Sequence, residues 1–162
     1  MPTNTEIVKA AVAALNDHDV ARLRTYWAPD GWERFPDATC HGPDAIGRYF
    51  QETFDAIPDL HIEPKAFAAE GDEVFMRYAI TGTHTGGAFK GVAATGRRIE
   101  VPGIDQFTVR DGRIASNFVV FDQMEIGRQL GLLPPADSAA DKALKAAFNG
   151  VTAVRRKLGR AG

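Results

Sequence analysis

The sequence is poor in several features, and each absence narrows the field. One cysteine, Cys40, occurs in 162 residues. No disulfide can close within the chain, and nothing calls for an oxidising compartment. No apolar run approaches the roughly 18 residues that a membrane-spanning helix needs. Positive charge is not in surplus: 19 Lys and Arg stand against 21 Asp and Glu. A nucleic-acid partner is therefore not expected, because phosphate contacts need a cationic excess. His18, His41, His61 and His84 stand far apart, without HxH or HExxH spacing, so no metal site is expected. There is no Walker lysine pattern, no dinucleotide-fold glycine spacing and no GxSxG elbow, so no cofactor is implied. The first residues, MPTNTEIVKAAVAALNDHD, hold an acid and a lysine within their apolar stretch and do not read as a signal peptide. A cytoplasmic location is the expectation.

What is present is ordinary globular composition, 44% hydrophobic and 25% charged, enough for one domain with a real core. Ile7, Val8, Ala11, Val12 and Leu15 fall at helical spacing. A second short helix is expected through Val20, Leu23, Tyr26 and Trp27, then a turn at Pro29-Asp30-Gly31. A third helix, capped by Asp44, carries Ile46, Tyr49, Phe50, Phe54 and Ile57 and stops at Pro58. After residue 60 the period changes to two. Strands are expected at HIEPKAFAAE, at EVFMRYAITGTHTG, around 97–109 and at 113–121, the last two joined by an Asp111-Gly112 hairpin. Asp122 caps a short final helix. Helices followed by a run of strands imply an α+β fold, a curved antiparallel or mixed sheet wrapped on N-terminal helices and enclosing a pocket.

The chain divides at Pro134-Pro135. Residues 1–135 form the pocket domain, and residues 136–162 a helical extension. The extension carries six cations, Arg160 among them, against Asp137 and Asp141. Leu144, Ala147, Phe148, Val151, Val154 and Leu158 give it an apolar stripe. Such a stripe packs against its own domain or a second subunit. The basic charge reads as a solvated face, or as a docking surface for an acidic partner.

Chemistry centres on Asp105 in VPGIDQFTV. Asp is disfavoured in a strand of sheet formers. It is either an exposed or ion-paired structural residue, or a carboxyl in an apolar pocket with a raised pKa, able to donate a proton or hydrogen bond to a carbonyl. A two-residue hairpin sets it opposite Phe118; a three-residue loop sets it opposite Asn117, on a face shared with Phe107, Val119 and Phe121. Arg77 shares a face with Phe75, Ala79 and Thr81, as a surface residue or as a partner for Asp105 or an enolate oxygen. Glu33 sits among Trp32, Phe35 and Pro36. His41 and His84 lie at strand ends, as structural groups or proton carriers.

Residues 82–134 contain THTG, the TGRR turn, the RDGRI hairpin and the closing FDQM…RQLGLLP. With CHGPDAIGRYF at 40–50, these resemble the SnoaL-like polyketide and ester cyclases of the nuclear-transport-factor-2-like superfamily, over about residues 5–134. The resemblance implies a cone-shaped α+β barrel, usually dimeric, with one deep pocket and cofactor-independent acid–base chemistry. Val119 stands where the cyclases carry their acid/base Asp, and Asn117 where they carry a His. Against the limonene epoxide hydrolase branch, Arg77 matches, but Ala79 and Val119 replace the two acids. Against the ketosteroid isomerase branch, Asp105 matches the oxyanion-hole acid and Glu33 the general base, while Ala11 falls near its tyrosine.

The expected activity is a cyclase or isomerase acting on a hydrophobic, carbonyl-bearing small molecule, with no metal. Asp105 serves as acid or oxyanion donor, and Glu33 or His84 as base. Arg77, Asn117 and His41 contact substrate, and Trp32, Phe35, Tyr49, Phe50, Phe107, Val119 and Phe121 line the wall. A homodimer and an acidic carrier protein at the basic tail are the expected partners. The alternative is a binding or scaffolding domain of the same fold without chemistry.

Overall fold

Helix α1 (Asn4–Asn16) starts at a reciprocal cap: the Thr3 side chain accepts from the Glu6 N–H, and the Glu6 carboxylate accepts from the Thr3 N–H. Its stripe of Ile7, Val8, Ala11, Val12 and Leu15 is buried, each larger side chain contributing about 1.5–3 kcal/mol of apolar transfer. The computed structural model describes residues 1–159. Helix α2 (Val20–Thr25) is capped by Asp19 and ends earlier than expected, because Trp27 already belongs to strand β1 (Trp27–Arg34). The Pro29-Asp30-Gly31 stretch is not a free turn but an irregularity inside β1. Trp27 pairs with Ile114 and Trp32 with Ser116, so five steps on one strand face two on the other. Short β2 (Thr39–His41) folds back on β1.

Helix α3 (Pro43–Ala56) is capped by Gly42, not Asp44. Pro43 occupies the first turn, where its missing N–H costs nothing, and Asp44 follows it. The chain then runs through β3 (His61–Glu70), β4 (Glu73–Thr83), β5 (Arg98–Arg110) and β6 (Arg113–Phe121). The sheet order is β2-β1-β6-β5-β4-β3, antiparallel except where β1 lies parallel to β6. The six-stranded sheet is curved and unclosed: its edges, β2 and β3, do not pair, so the expected barrel is an open one. Alternation along β4 and β5 sends Val74, Met76, Tyr78 and Ile80, then Ile99, Val101, Asp105 and Phe107, into the concave side.

Helix α4 (Gln123–Gln129) follows β6, its first turn held by the Asp122 side chain accepting from the Glu125 N–H. Helix α5 (Ala139–Leu158) starts at Ser138. Its stripe stays exposed, with Phe148 70% and Leu158 71% accessible. Its cation Arg160 lies outside the described residues. Among the described residues, no helix is long and apolar enough to cross a membrane.

Candidate active site

The concave face of the sheet and the helices enclose an apolar cavity of about 110 Å³, well above the ~10–15 Å³ that one water needs. Half-buried Tyr49, Phe50 and Thr53 of α3, with Phe89, Phe121 and Ile126, form its outer part. Among the described residues, the only ionisable carboxyls in its lining are Glu33 and Asp105, and no Lys, Arg or His lines it.

These two carboxyls come from different strands and meet through one amide. Glu33 on β1 is the parallel partner of Asn117 on β6. Asp105 on β5 faces Val119 on β6, one inward step from Asn117. Neither register expected from the sequence occurs. The turn is a two-residue Asp111-Gly112 hairpin, and a bulge at Ala115 shifts the ladder by one, between the Val109–Ile114 and Thr108–Ser116 pairs. The shift turns Asp105, Phe107, Asn117, Val119 and Phe121 to one face.

The Asn117 amide donates both hydrogens, to Glu33 Oε1 at 2.9 Å and to Asp105 Oδ2 at 3.0 Å. The Tyr78 hydroxyl donates to Asp105 Oδ1 at 2.8 Å. Glu33 Oε2 and Asn117 Oδ1 have no protein partner. All four residues are buried, with Glu33 3% and Asp105 7% accessible.

The surroundings separate the two acids. Burial, reinforced by the charge of Asp105, pushes Glu33 well above the usual carboxylate range, with Asn117 opposing only in part. Burial lifts Asp105 to about 6, while the Asn117 and Tyr78 hydrogen bonds hold it down. The charge of Asp105 raises Glu33 and not the reverse, so Asp105 is the first of the pair to lose its proton and Glu33 the acid that keeps its own. Burial also raises the Tyr78 and Tyr49 hydroxyls, beside Asp105 and Asp37, so both stay protonated.

The structure gathers Asp105, Glu33, Asn117, Phe35, Tyr49, Phe50, Phe107, Val119 and Phe121 around this cavity. It places four expected residues elsewhere. Arg77 is exposed on the outer face of β4, since Met76 and Tyr78 on either side point inward. His41 is exposed on β2. Trp32 alternates with inward Glu33 and points to the other side of β1. His84 is fully buried but does not line the cavity. Its Nε2–H donates to Gly87 O at 3.1 Å, and its Nδ1 accepts from the Thr95 N–H at 3.4 Å. It ties the base of the β4–β5 loop rather than facing substrate space.

That loop arches over the cavity mouth. Gly86 lies so close to α3 that a Cβ would sit 2.0 Å from Asp55 O, and its N–H donates to Ala56 O at 3.0 Å. At the tip Phe89 and Val92 exchange backbone hydrogen bonds of 2.9 Å. Phe89 enters the lining, and Lys90 Nζ lies 2.7 Å from Asp37 and 4.3 Å above the Tyr49 ring. Sequence reasoning missed Tyr78, Trp27 and Phe89. Tyr78 carried a signal: it is the one hydroxyl in the otherwise apolar inward set of β4. Among the described residues, no three His, Cys, Asp or Glu side chains gather as a metal site requires.

Solved structures of similar shape include AclR, a proposed hydroxylase from Streptomyces galilaeus. It is 27% identical with a TM-score of 0.73, over 95% of each chain. IdmH, a proposed polyketide cyclase from Streptomyces antibioticus, is 26% identical with a TM-score of 0.69, over 80% of this chain and 99% of its own. A protein from Catenulispora acidiphila with a ketosteroid isomerase-like fold, in complex with trimethylamine, is 25% identical with a TM-score of 0.69, over 85% and 99%. Curated protein sequences include no match to this chain. The model of the SnoaL-like polyketide cyclases matches residues 5–130, a span that holds every strand and the whole Glu33–Asn117–Asp105–Tyr78 array. The chain belongs to the SnoaL-like polyketide cyclase family.

Proposed function

We propose that this protein is a cyclase or isomerase that moves protons on a hydrophobic, carbonyl-bearing, polyketide-like small molecule, with Asp105 as base and Glu33 as proton donor. The observation that carries the reading is the pair of buried carboxyls linked by the Asn117 amide at the wall of an apolar cavity. From the sequence, Asp105 is expected as acid or oxyanion donor and Glu33 or His84 as base. The surroundings favour the reverse division, because the charge of Asp105 raises Glu33 while no charge of Glu33 raises Asp105. His84 leaves the list of bases on grounds of position.

In this scheme the Asp105 carboxylate takes a proton from a carbon next to a substrate carbonyl. The C–H electron pair moves into the enol double bond, and the carbonyl oxygen takes the Glu33 proton. In a ring closure the enol carbon then attacks a second carbonyl carbon of the same molecule. The enol proton returns to Glu33 as the first carbonyl reforms, and the new alkoxide takes the proton held on Asp105. Both carboxyls finish as they began, and the product is an isomer of the substrate. For a double-bond shift, Asp105 returns its proton to a different carbon.

The test is turnover of a panel of aromatic and polyketide-like ketones by the wild type, Asp105→Asn and Glu33→Gln. Each acid–base group typically contributes 10²–10⁴-fold, so a loss of that size in both variants is expected. Intact turnover in both would overturn the assignment, and a ligand bound but never transformed would leave a binding domain.

Two partners belong to the same proposal. The outer sheet face exposes Phe75, Ile104, Phe118 and Val120, a surface that suits a second copy of this chain. The basic α5 suits an acidic carrier protein that delivers substrate. Light scattering of an Ile104→Lys variant tests the first. Activity of a chain cut after Pro135 on carrier-tethered substrate tests the second.

A further inference from the structure

Tyr78 and Gly103 are direct cross-strand partners in the β4–β5 ladder. An ideal Cβ on Gly103 would lie 2.4 Å from Tyr78 Cζ and 2.6 Å from both its Cε2 and its hydroxyl oxygen. Side chains do not tolerate such distances, so the phenol lies in the volume that any other residue at 103 would fill. The backbone gives no reason of its own for glycine here. Gly103 is absent from the positive-φ glycines and sits within a regular ladder. A glycine inside a strand loosens it and often marks a close approach.

We propose that Gly103 is a positioning residue of the acid–base pair: its missing side chain lets the Tyr78 ring cross the β5 backbone and set its hydroxyl on Asp105. Two donors then clamp the carboxylate from opposite sides, Tyr78 on Oδ1 and Asn117 on Oδ2. The clamp fixes the carboxyl plane toward the cavity. The titratable groups facing Asp105 are Tyr78 from β4 and Glu33 from β1, and among the described residues no cation lines the cavity. The hydroxyl that Gly103 admits is therefore one of only two donors holding the Asp105 charge. The consequence for turnover rests on the reading of Asp105 as base; the geometric claim does not.

The experiment follows the Asp105 carboxyl resonance over pH in aspartate-labelled protein, identified by its loss in Asp105→Asn. The wild-type midpoint is expected at about 6. Tyr78→Phe removes one donor from the charged form and should raise the midpoint by about one pH unit. Gly103→Ala should raise it similarly, by pushing the ring and its hydroxyl aside. In Tyr78→Phe/Gly103→Ala the midpoint should rise no further than in Tyr78→Phe, because there is no hydroxyl left to displace. A merely structural glycine would lower the melting temperature without this dependence on Tyr78. An unchanged midpoint in Gly103→Ala, or a rise that adds fully to that of Tyr78→Phe, would overturn the proposal. If Gly103→Ala does not fold, Tyr78→Ala/Gly103→Ala should fold again, since the ring is gone; continued failure would overturn it too. Midpoints that behave as stated, with Asp105→Asn leaving turnover intact, would remove the catalytic reading and keep the positioning one.

Discussion

Replacing Asp105 by Asn should stabilise the protein at neutral pH. The isolated Asp value of 3.8 rises to about 6 in the folded chain because burial penalises the charge. The folded state thus binds this proton more tightly than the unfolded chain does. Stability from this group is complete below about pH 4, falls as pH rises from 3.8 to about 6, and is lost above that. The rise corresponds to about 3 kcal/mol of destabilisation at pH 7.5, to order of magnitude. Asn keeps the shape and carries no charge, and its one oxygen can accept from Tyr78 or from Asn117, which donate to different oxygens of Asp105. Its new N–H₂ has the unpartnered Glu33 Oε2 and Asn117 Oδ1 as candidate acceptors in the same array. Urea unfolding followed by the fluorescence of Trp27 and Trp32, at pH steps from 3.5 to 8, should show the variant gaining on the wild type through this window. Near pH 7.5 the melting temperature should be higher by roughly 6–12 °C, and turnover lower by 10²–10⁴-fold. A variant no more stable than wild type at pH 7.5, or a gap that does not close toward pH 4, would refute the reasoning.

Glu33→Gln should stabilise the protein at pH 7, because the raised carboxyl binds its proton more tightly in the folded chain than in the unfolded one, and the gain should shrink as pH falls toward the ordinary value of 4.5, while turnover collapses; no gain in urea unfolding at pH 7 would mean that burial does not raise Glu33. His84→Ala removes a fully buried ring with bonds to Gly87 and Thr95 and should cost about 1–3 kcal/mol, read by calorimetry, with the pH profile of turnover unmoved; loss of one limb of that profile would restore His84 as a proton carrier. Lys90→Ala breaks a half-exposed ion pair with Asp37, so stability should fall by less than about 1 kcal/mol. Stopped-flow release of a bound fluorescent ketone should nevertheless quicken, since the loop tip carrying Phe89 loses its tie at the mouth. Unchanged release would show that the loop does not gate the cavity.

Period was the legible part of this chain, and capping only in part, since Asp122 caps its helix and Asp44 does not. The alternation in β4 named Val74, Met76, Tyr78 and Ile80 as one face, and the structure puts that face inside. The same alternation sends Arg77 outward, because a strand offers two faces and the apolar set takes the concave one. His41 and Trp32 failed for a neighbouring reason: β1 is irregular between Trp27 and Trp32, and only the pairing with β6 decides which of its side chains reach the cavity. The pairing of Asp105 was not legible, since the bulge at Ala115 has no glycine or proline to announce it, yet that one extra residue decides which way Asn117 points. Tyr78 and Gly103 show the remaining gap. A tyrosine in an apolar set reads as core, and a glycine in a strand reads as weakness. Their meaning appears only across the ladder, where the space absent from one residue is the space occupied by the other. A pattern within one strand can name a buried acid, but what holds that acid in place is written jointly by three strands.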